Sequence, residues 1–410
     1  MSVRCSPARP LAVDGGVPVR STPLPSWPWF STDEIRAVEE VLRSGLVNYW
    51  TGEQGRAFER EYAAATASEH GVAVANGTVA LELTLRALGI GPGDDVVVPS
   101  RTFVASASCV VAVGARPIFA DVDRDSGNIT ADTVEAAVTE RTRAVIVVHL
   151  GGWPADMDPL MRFSYGKGLA VVEDCAQAHG ARYRDRPVGS FGDAAAWSFC
   201  QDKILTTAGE GGLVATGSRA IWKTVWSYKD HGKDPDILAA PHTDTGFRWT
   251  HRSIGTNARM HELAAAAGRV ALRNLPTWLE QRRANATNLV TRLSRTPGLR
   301  VPTPSGDPTT SASYYRVYAY VRPDLLRPGW SRDRVAAAIR AEGIPCSVGS
   351  CGEVYREPAF AAGARPADRL PVAAELADTS LAFLVHPTLS RHDMDDTADA
   401  VEKVLTAASA

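Results

Sequence analysis

Ala170-Val171-Val172-Glu173-Asp174-Cys175-Ala176-Gln177-Ala178-His179-Gly180, then Ala194-Ala195-Ala196-Trp197-Ser198-Phe199-Cys200-Gln201-Asp202-Lys203, then Gly209-Glu210-Gly211-Gly212, is the stretch that decides how this 410-residue chain folds. Ala170 to Val172 is apolar without alternation, as a strand covered on both faces must be. It delivers two carboxylates, Glu173 and Asp174, to its end. In open α/β sheets the carboxyl ends of the strands border the ligand crevice. A second apolar run, Ala194 to Phe199, leads into a turn that presents Ser198 and Lys203. One acid and one lysine at neighbouring strand ends form a chemical pair. A lysine amine makes a Schiff base with a carbonyl, and a carboxylate can hold a protonated ring nitrogen opposite it, which together are a protein's contribution to pyridoxal phosphate chemistry. As spacing alone the pair stays open to a structural reading, since most strand-end Asp residues cap turns and most lysines are solvated.

Outward from this stretch, strand and helix alternate. Val72 to Asn76 is expected as a buried strand that turns at Gly77 into a helix from Thr78 to Leu88, whose free amides and dipole make an anion site at Gly77 and Thr78. Further strands are expected at Val96 to Pro99, Pro117 to Val122, Ala144 to His149 and Leu213 to Thr216, with helices near Phe103 to Val113 and Thr130 to Val138. Apolar strands separated by helices predict an α/β fold with a mostly parallel sheet covered on both faces. Ser31-Thr32-Asp33-Glu34 is a capping box for a helix from Thr32 to Arg43. A long helical region, Glu262 to Arg295, is expected to break near Pro276. Tyr314 to Val321 alternates as a half-exposed strand. With helices near Arg332 to Glu342 and His392 to Ala407 it completes a smaller α+β unit. The domains expected are an arm at 1–30, a large domain at 31–270 and a small C-terminal domain at 271–410.

A net charge of −2 with the signs interspersed leaves no basic face for nucleic acid. The six cysteines, at 5, 109, 175, 200, 346 and 351, include no Cys-x-x-Cys pair and read as reduced thiols. No carboxylate and histidine cluster with metal-ligand spacing is evident, so no metal is expected. Arg4 and Arg9 precede no apolar segment, and no run approaches a membrane span. A cytoplasmic protein is therefore expected.

The wording of the chain carries more than its spacing. Asp174, Gln177, Ser198, Lys203 and the Gly209 to Gly212 turn, in this order, resemble the StrS/DegT-like sugar aminotransferase family of fold-type-I pyridoxal phosphate enzymes. So do Asn76-Gly77-Thr78, Pro99-Ser100-Arg101-Thr102-Phe103 and Gly255-Thr256-Asn257-Ala258-Arg259-Met260-His261-Glu262. The resemblance runs from about Leu11 into the C-terminal region. It implies a large domain with a mostly parallel, seven-stranded-type sheet flanked by helices, plus a smaller α+β domain. It also implies pyridoxal 5'-phosphate as cofactor and a homodimer.

Residue by residue, the resemblance gives Lys203 the cofactor linkage and the proton transfers, and Asp174 the ring nitrogen. Phe103 would stack on the ring, Gln177 would sit beside the ring or its phenolic oxygen, and Gly77, Thr78 and Ser198 would hold the phosphate. Asn257 would reach the phosphate of the partner subunit. The structural alternatives are a core aromatic for Phe103, a strand-end turn for Gln177 and a backbone-bonded hydroxyl for Ser198. His149 is open between structure and function, Glu173, His179 and Glu210 read as structural, and Asp156 and Asp158 read as helix caps. Tyr49 and Trp50, in a glycine-punctuated loop, are placed near substrate by the resemblance.

The implied reaction moves an amino group from L-glutamate or L-glutamine to a ketone of a keto sugar, nucleotide-linked in the main reading, or of a keto cyclitol in the alternative. One departure bears on the acceptor. Many members carry a Pro-Leu-His element where this chain has Cys346 to Tyr355, which makes Glu353 and Tyr355 either pocket or surface residues. A dehydratase or lyase on the same fold, and a cofactor-binding sensor without turnover, remain the other readings.

Overall fold

The computed structural model describes residues 10–241, 246–304, 306–361, 363 and 365–409. Arg4, Cys5, Arg9 and the rest of the arm's first nine residues lie outside it, as do 242–245 of the loop before Asn257. Strands β1 (His70–Val74), β2 (Asp95–Pro99), β3 (Arg116–Ala120), β4 (Thr142–Val148) and β5 (Ala170–Asp174) come first. A two-residue hairpin, β6 (Arg182–Tyr183) and β7 (Arg186–Pro187), precedes β8 (Ala194–Ser198) and β9 (Gly212–Thr216). Seven of these form one sheet in the order β1-β9-β8-β5-β4-β2-β3. β3, β2, β4, β5 and β8 pair in parallel, while β9 runs antiparallel to both β8 and β1. The mostly parallel, seven-stranded α/β sheet expected from the sequence is thus present. The register places Asp174 between Val148 of β4 and Ala196 of β8.

Helices α1 (Thr32–Ser44), α2 (Gln54–Ala65), α3 (Gly77–Ala87), α4 (Ala105–Ala112), α5 (Ala131–Ala137), α6 (Met157–Gly166), α7 (Arg219–Lys229) and α8 (Pro235–Ala239) accompany this sheet. The capping box at Ser31 and Glu34 is formed in both directions. Helix α9 (Glu262–Leu293) is continuous through Pro276, which corrects the break expected there. A proline removes one amide donor, and flanking burial of Ala271, Leu275 and Leu279 keeps the helix seated on either side of that gap. The C-terminal half of α9 joins a second apolar core with β10 (Leu299–Arg300), β11 (Val317–Val321), α10 (Arg332–Ala341), β12 (Ser380–Phe383) and α12 (Arg391–Ala408), while α11 (Pro371–Thr379) packs through Ala373 and Leu376 into the cluster of Val97, Val145 and Val171 on the large sheet. The boundary expected after residue 270 falls inside α9.

Residues 10–30 lie along this second core. Leu11 is buried in it, the Ala12 and Val19 amides donate to Glu342, and Arg20 pairs with Asp393 at 2.9 Å and Asp396 at 2.8 Å. No helix among the described residues is long and apolar enough to cross a membrane.

Candidate active site

Three structural features open into one cavity of about 850 Å³: the carboxyl ends of β5 and β8, the start of α3, and the Ser347 to Ser350 loop. Gly77, Thr78, Phe103, Asp174, Gln177, Ser198 and Lys203 all line it. Seven of the eight residues singled out in the sequence therefore meet in one place.

Asp174 is buried, and its contacts are few. Ser106 donates to Oδ2 at 2.7 Å, the Ala176 amide donates to Oδ1 at 3.1 Å, and Thr102 and Ser106 hydroxyls lie 2.9 Å apart behind them. Among the described residues no cation lies within ion-pair distance. Burial accordingly pushes the Asp174 pKa above its ordinary value, against the pull of Ser106, the Ala176 amide and the Lys203 charge. A buried carboxylate facing a cavity without a counter-ion is suited to a ligand that brings a cation or a protonated ring nitrogen. Ser106 escaped the sequence reading; its signal is the four-residue spacing from Thr102 across the first turn of α4.

The anion end of the cavity is the start of α3. Asn76 caps it, accepting from the Val79 amide at 3.0 Å, and the Gly77 and Thr78 amides precede the intrahelical ladder. Glycine is required at 77 because a Cβ there would stand 2.6 Å from Cβ of Ser198. The same close approach requires Gly212, where a Cβ would stand 2.3 Å from the Asn76 carbonyl. These two contacts draw the α3 amides against the end of β8.

Lys203 enters from the loop after β8. Its Nζ lies 3.6 Å from Asp202 and 5.1 Å above the Tyr315 ring. Burial alone would raise the Asp202 pKa, but the Lys203 charge, the Tyr315 hydroxyl and the Arg316 charge together hold it below the usual value. Gln177 is held at both ends of its amide: Oε1 accepts from the Gly151 amide at 2.7 Å and Nε2 donates to Ser350 at 3.2 Å. Ser350 also receives the Tyr318 hydroxyl. Phe103 is 60% exposed, which leaves its ring free to cover a ligand rather than fill the core.

Asn257 is exposed and pairs through its backbone with Asp230, outside the residues lining this chain's cavity. Tyr49 is buried, donating to Glu59 at 2.9 Å beside Lys229, and does not line the cavity. Glu353 and Tyr355 form neither pocket nor surface: both are buried, Tyr355 donating to Glu353, which also accepts from Arg369. The Asp156 carboxylate does not cap α6 but accepts from Tyr183 at 2.5 Å, and Asp158 pairs with Arg184.

His149 proves structural. The Ala155 amide donates to Nδ1 at 3.0 Å, so the proton sits on Nε2, which donates to Glu173 at 3.0 Å. Burial raises the Glu173 pKa, yet His149 and the amides of Gly192 and Gly189 hold it low. Folding does bring His149, Glu173 and Cys175 within 4.8 Å of one another, a cluster hidden by sequence separation. Glu173 already accepts from His149 and the Gly189, Phe191 and Gly192 amides, and burial pushes the Cys175 thiol well up, away from thiolate. His179 accepts from Tyr62 at 2.6 Å and donates to the Ser198 carbonyl at 2.9 Å; burial lowers its pKa to about 3.

The donor set fits pyridoxal 5'-phosphate. An unpaired buried carboxylate, a lysine amine and free helix amides stand in one cavity, each matching one end of that molecule. Residues 29–402 match the DegT/DnrJ/EryC1/StrS aminotransferase family. The chain is 36% identical to a dTDP-3-amino-3,4,6-trideoxy-alpha-D-glucose transaminase from Streptomyces venezuelae, with 90% of each chain covered. It is 39% identical to an L-glutamine:2-deoxy-scyllo-inosose aminotransferase from Streptoalloteichus tenebrarius, covering 82% of this chain and 80% of that one. The crystal structure of an aminotransferase from Psychrobacter cryohalolentis superimposes with a TM-score of 0.92 at 46% identity, covering 94% of this chain and 99% of the other.

Proposed function

The chain belongs to the DegT/DnrJ/EryC1/StrS aminotransferase family, and from that premise we propose that it moves an amino group from L-glutamate or L-glutamine to the ketone of a nucleotide-linked keto sugar. The observation that carries this reading is the meeting of Lys203, Asp174 and the α3 amides in one cavity. Pyridoxal phosphate supplies, when bound, an electron sink for the carbanion formed beside the migrating nitrogen. Lys203 Nζ would hold the cofactor and, as a free amine, would take the proton from the donor Cα. Asp174, its orientation fixed by Ser106 and the Ala176 amide, would keep a proton on the ring nitrogen. Gly77, Thr78 and Ser198 would hold the phosphate, Gln177 would border the ring and Phe103 would cover it.

A keto cyclitol acceptor is the second reading. It is favoured by the 39% identity to the scyllo-inosose aminotransferase and by the Ser347, Gly349 and Ser350 wall, which stands where many members carry Pro-Leu-His. Amino-¹⁵N-labelled glutamine with either a dTDP-linked keto sugar or 2-deoxy-scyllo-inosose distinguishes them: label in one amine product identifies the acceptor. Product formed with no donor present would instead indicate a lyase. The same reading makes the protein a cytoplasmic homodimer, in which Asn257 of each chain serves the phosphate of the other's site. It also divides the chain into an arm at 1–30, a cofactor-binding part at 31–270 and a smaller part at 271–410.

A further inference from the structure

Resting on the reading of Lys203 as the cofactor's lysine, we propose that Trp27, in the N-terminal arm, is a positioning residue for that lysine. The loop after β8 is irregular, with Ala208 at a φ of 64° and Gly209 at 132°. Its own hydrogen bonds gather away from Lys203: Thr206 to the Phe199 carbonyl at 3.0 Å, and Thr207 to the Glu210 carbonyl at 2.7 Å. At Lys203 itself the amide closes a local turn on Cys200 at 3.0 Å. The carbonyl accepts from Trp27 Nε1 at 2.9 Å, across 176 residues of chain. Among the described residues this is the hydrogen bond that ties the Lys203 backbone to something outside its loop.

The indole can serve as such a tie because it is itself held on several sides. Trp278 meets it edge-on at 5.2 Å and His386 stacks on it at 6.2 Å. The Arg282 guanidinium lies 5.2 Å over the ring. Arg282 is fully buried and, among the described residues, has no carboxylate partner and leaves Nε and Nη2 without hydrogen bonds. Its Nη1 donates to the Tyr314 carbonyl at 3.3 Å. The Trp27 π face is thus a main source of compensation for that charge. Just before it, the Ser26 carbonyl accepts from Thr388 at 3.0 Å, which pins the arm where the indole begins. The arm, α9 and the segment after β12 therefore converge to aim one N–H at one carbonyl. A lysine that must reach a fixed carbon needs its own backbone fixed to a fraction of an ångström.

The test separates the N–H from the ring. Trp27→Phe keeps an aromatic face for Arg282. Replacement of Trp27 by β-(3-benzothienyl)alanine removes the donor alone, and decides the matter if the phenylalanine protein fails to fold. Each apoprotein is mixed with pyridoxal phosphate and quenched with borohydride over time, and the reduced linkage is mapped by peptide mass. Affinity for pyridoxine phosphate, which lacks the aldehyde and cannot react with lysine, is measured in parallel. The expected result is linkage to Lys203 slowed on the order of ten-fold, a matching fall in kcat with donor KM unchanged, and unchanged affinity for the unreactive analogue. An unaltered linkage rate in the benzothienyl protein, or an equal loss of analogue affinity, overturns the positioning role. Linkage of the wild-type protein to a different lysine would overturn the reading of Lys203 itself, and is visible without any Trp27 variant.

Discussion

Asp174 is a carboxylate whose surroundings make it wait for a cation. Its pKa is raised, so the folded apoprotein retains a proton that the unfolded chain has already released. Stability then falls as pH rises from the ordinary carboxyl value toward the folded one. Asp174→Asn removes that penalty: the variant apoprotein should gain in melting temperature over wild type as pH rises above the ordinary carboxyl pKa and show no such gain below it. The same substitution should lower kcat by on the order of 10² to 10³ while equilibrium dialysis shows the cofactor retained. His179 works in the opposite direction. Its folded pKa, about 3, lies below its ordinary value, so the unfolded chain takes up a proton that the folded one refuses. Stability is complete above the ordinary histidine pKa and is lost as pH falls through that window. His179→Gln should flatten the slope of unfolding free energy against pH by about 1.4 kcal/mol per pH unit there, measured by denaturant titration across mild acid. Asp174 and Lys203 were legible because their chemistry is rare and their order specific. Ser106 and Tyr315 were not, since a serine in a helix and a tyrosine just before a strand acquire meaning only from what folding sets beside them.

At the scale of elements, the site depends on how closely α3 abuts β8. Gly77→Ala puts a methyl 2.6 Å from the Ser198 Cβ, and the helix start must retreat. Cofactor affinity should fall by roughly ten-fold or more as the amides withdraw. Asn76→Ala, which only removes the cap, should cost about 1 kcal/mol of stability with a smaller effect on affinity. Melting curves beside cofactor titrations separate the two. The strand, turn and helix here were readable because apolar runs, a glycine and a period change coincide within a dozen residues. The unbroken α9 was not readable, because burial on both sides of Pro276 outweighs the local preference of proline. The stretch from Cys346 to Tyr355 was read for the wrong residues. Its serines line the cavity while Glu353 turns inward to Arg369 and takes Tyr355 with it, a choice made by a partner sixteen residues from Glu353.

At the scale of the molecule, the mostly parallel sheet and its helical cover followed from alternation along the chain and its seven strands from the family resemblance, whereas the seating of the arm followed from neither. Irregular proline-rich segments carry no period, and Trp27 finds Lys203 only through the packing of Trp278, His386 and Arg282. Asn257 stands apart from the cavity of its own chain, which makes a further expectation concrete. Lys203→Ala and Asn257→Ala proteins, each impaired alone, should recover activity when unfolded together and reassembled, because a mixed dimer contains one site with both residues intact. No recovery in mixed dimers verified by mass would mean that Asn257 serves its own chain or none.

The most direct measurement is the absorbance spectrum of the cofactor-loaded protein during separate titrations with L-glutamate and L-glutamine. The account predicts a long-wavelength band that one donor converts to the shorter-wavelength band of the aminated cofactor, with a stoichiometric keto acid released, and no such band change in Lys203→Ala. A bound chromophore that neither donor converts, or a conversion that survives loss of Lys203, would contradict it.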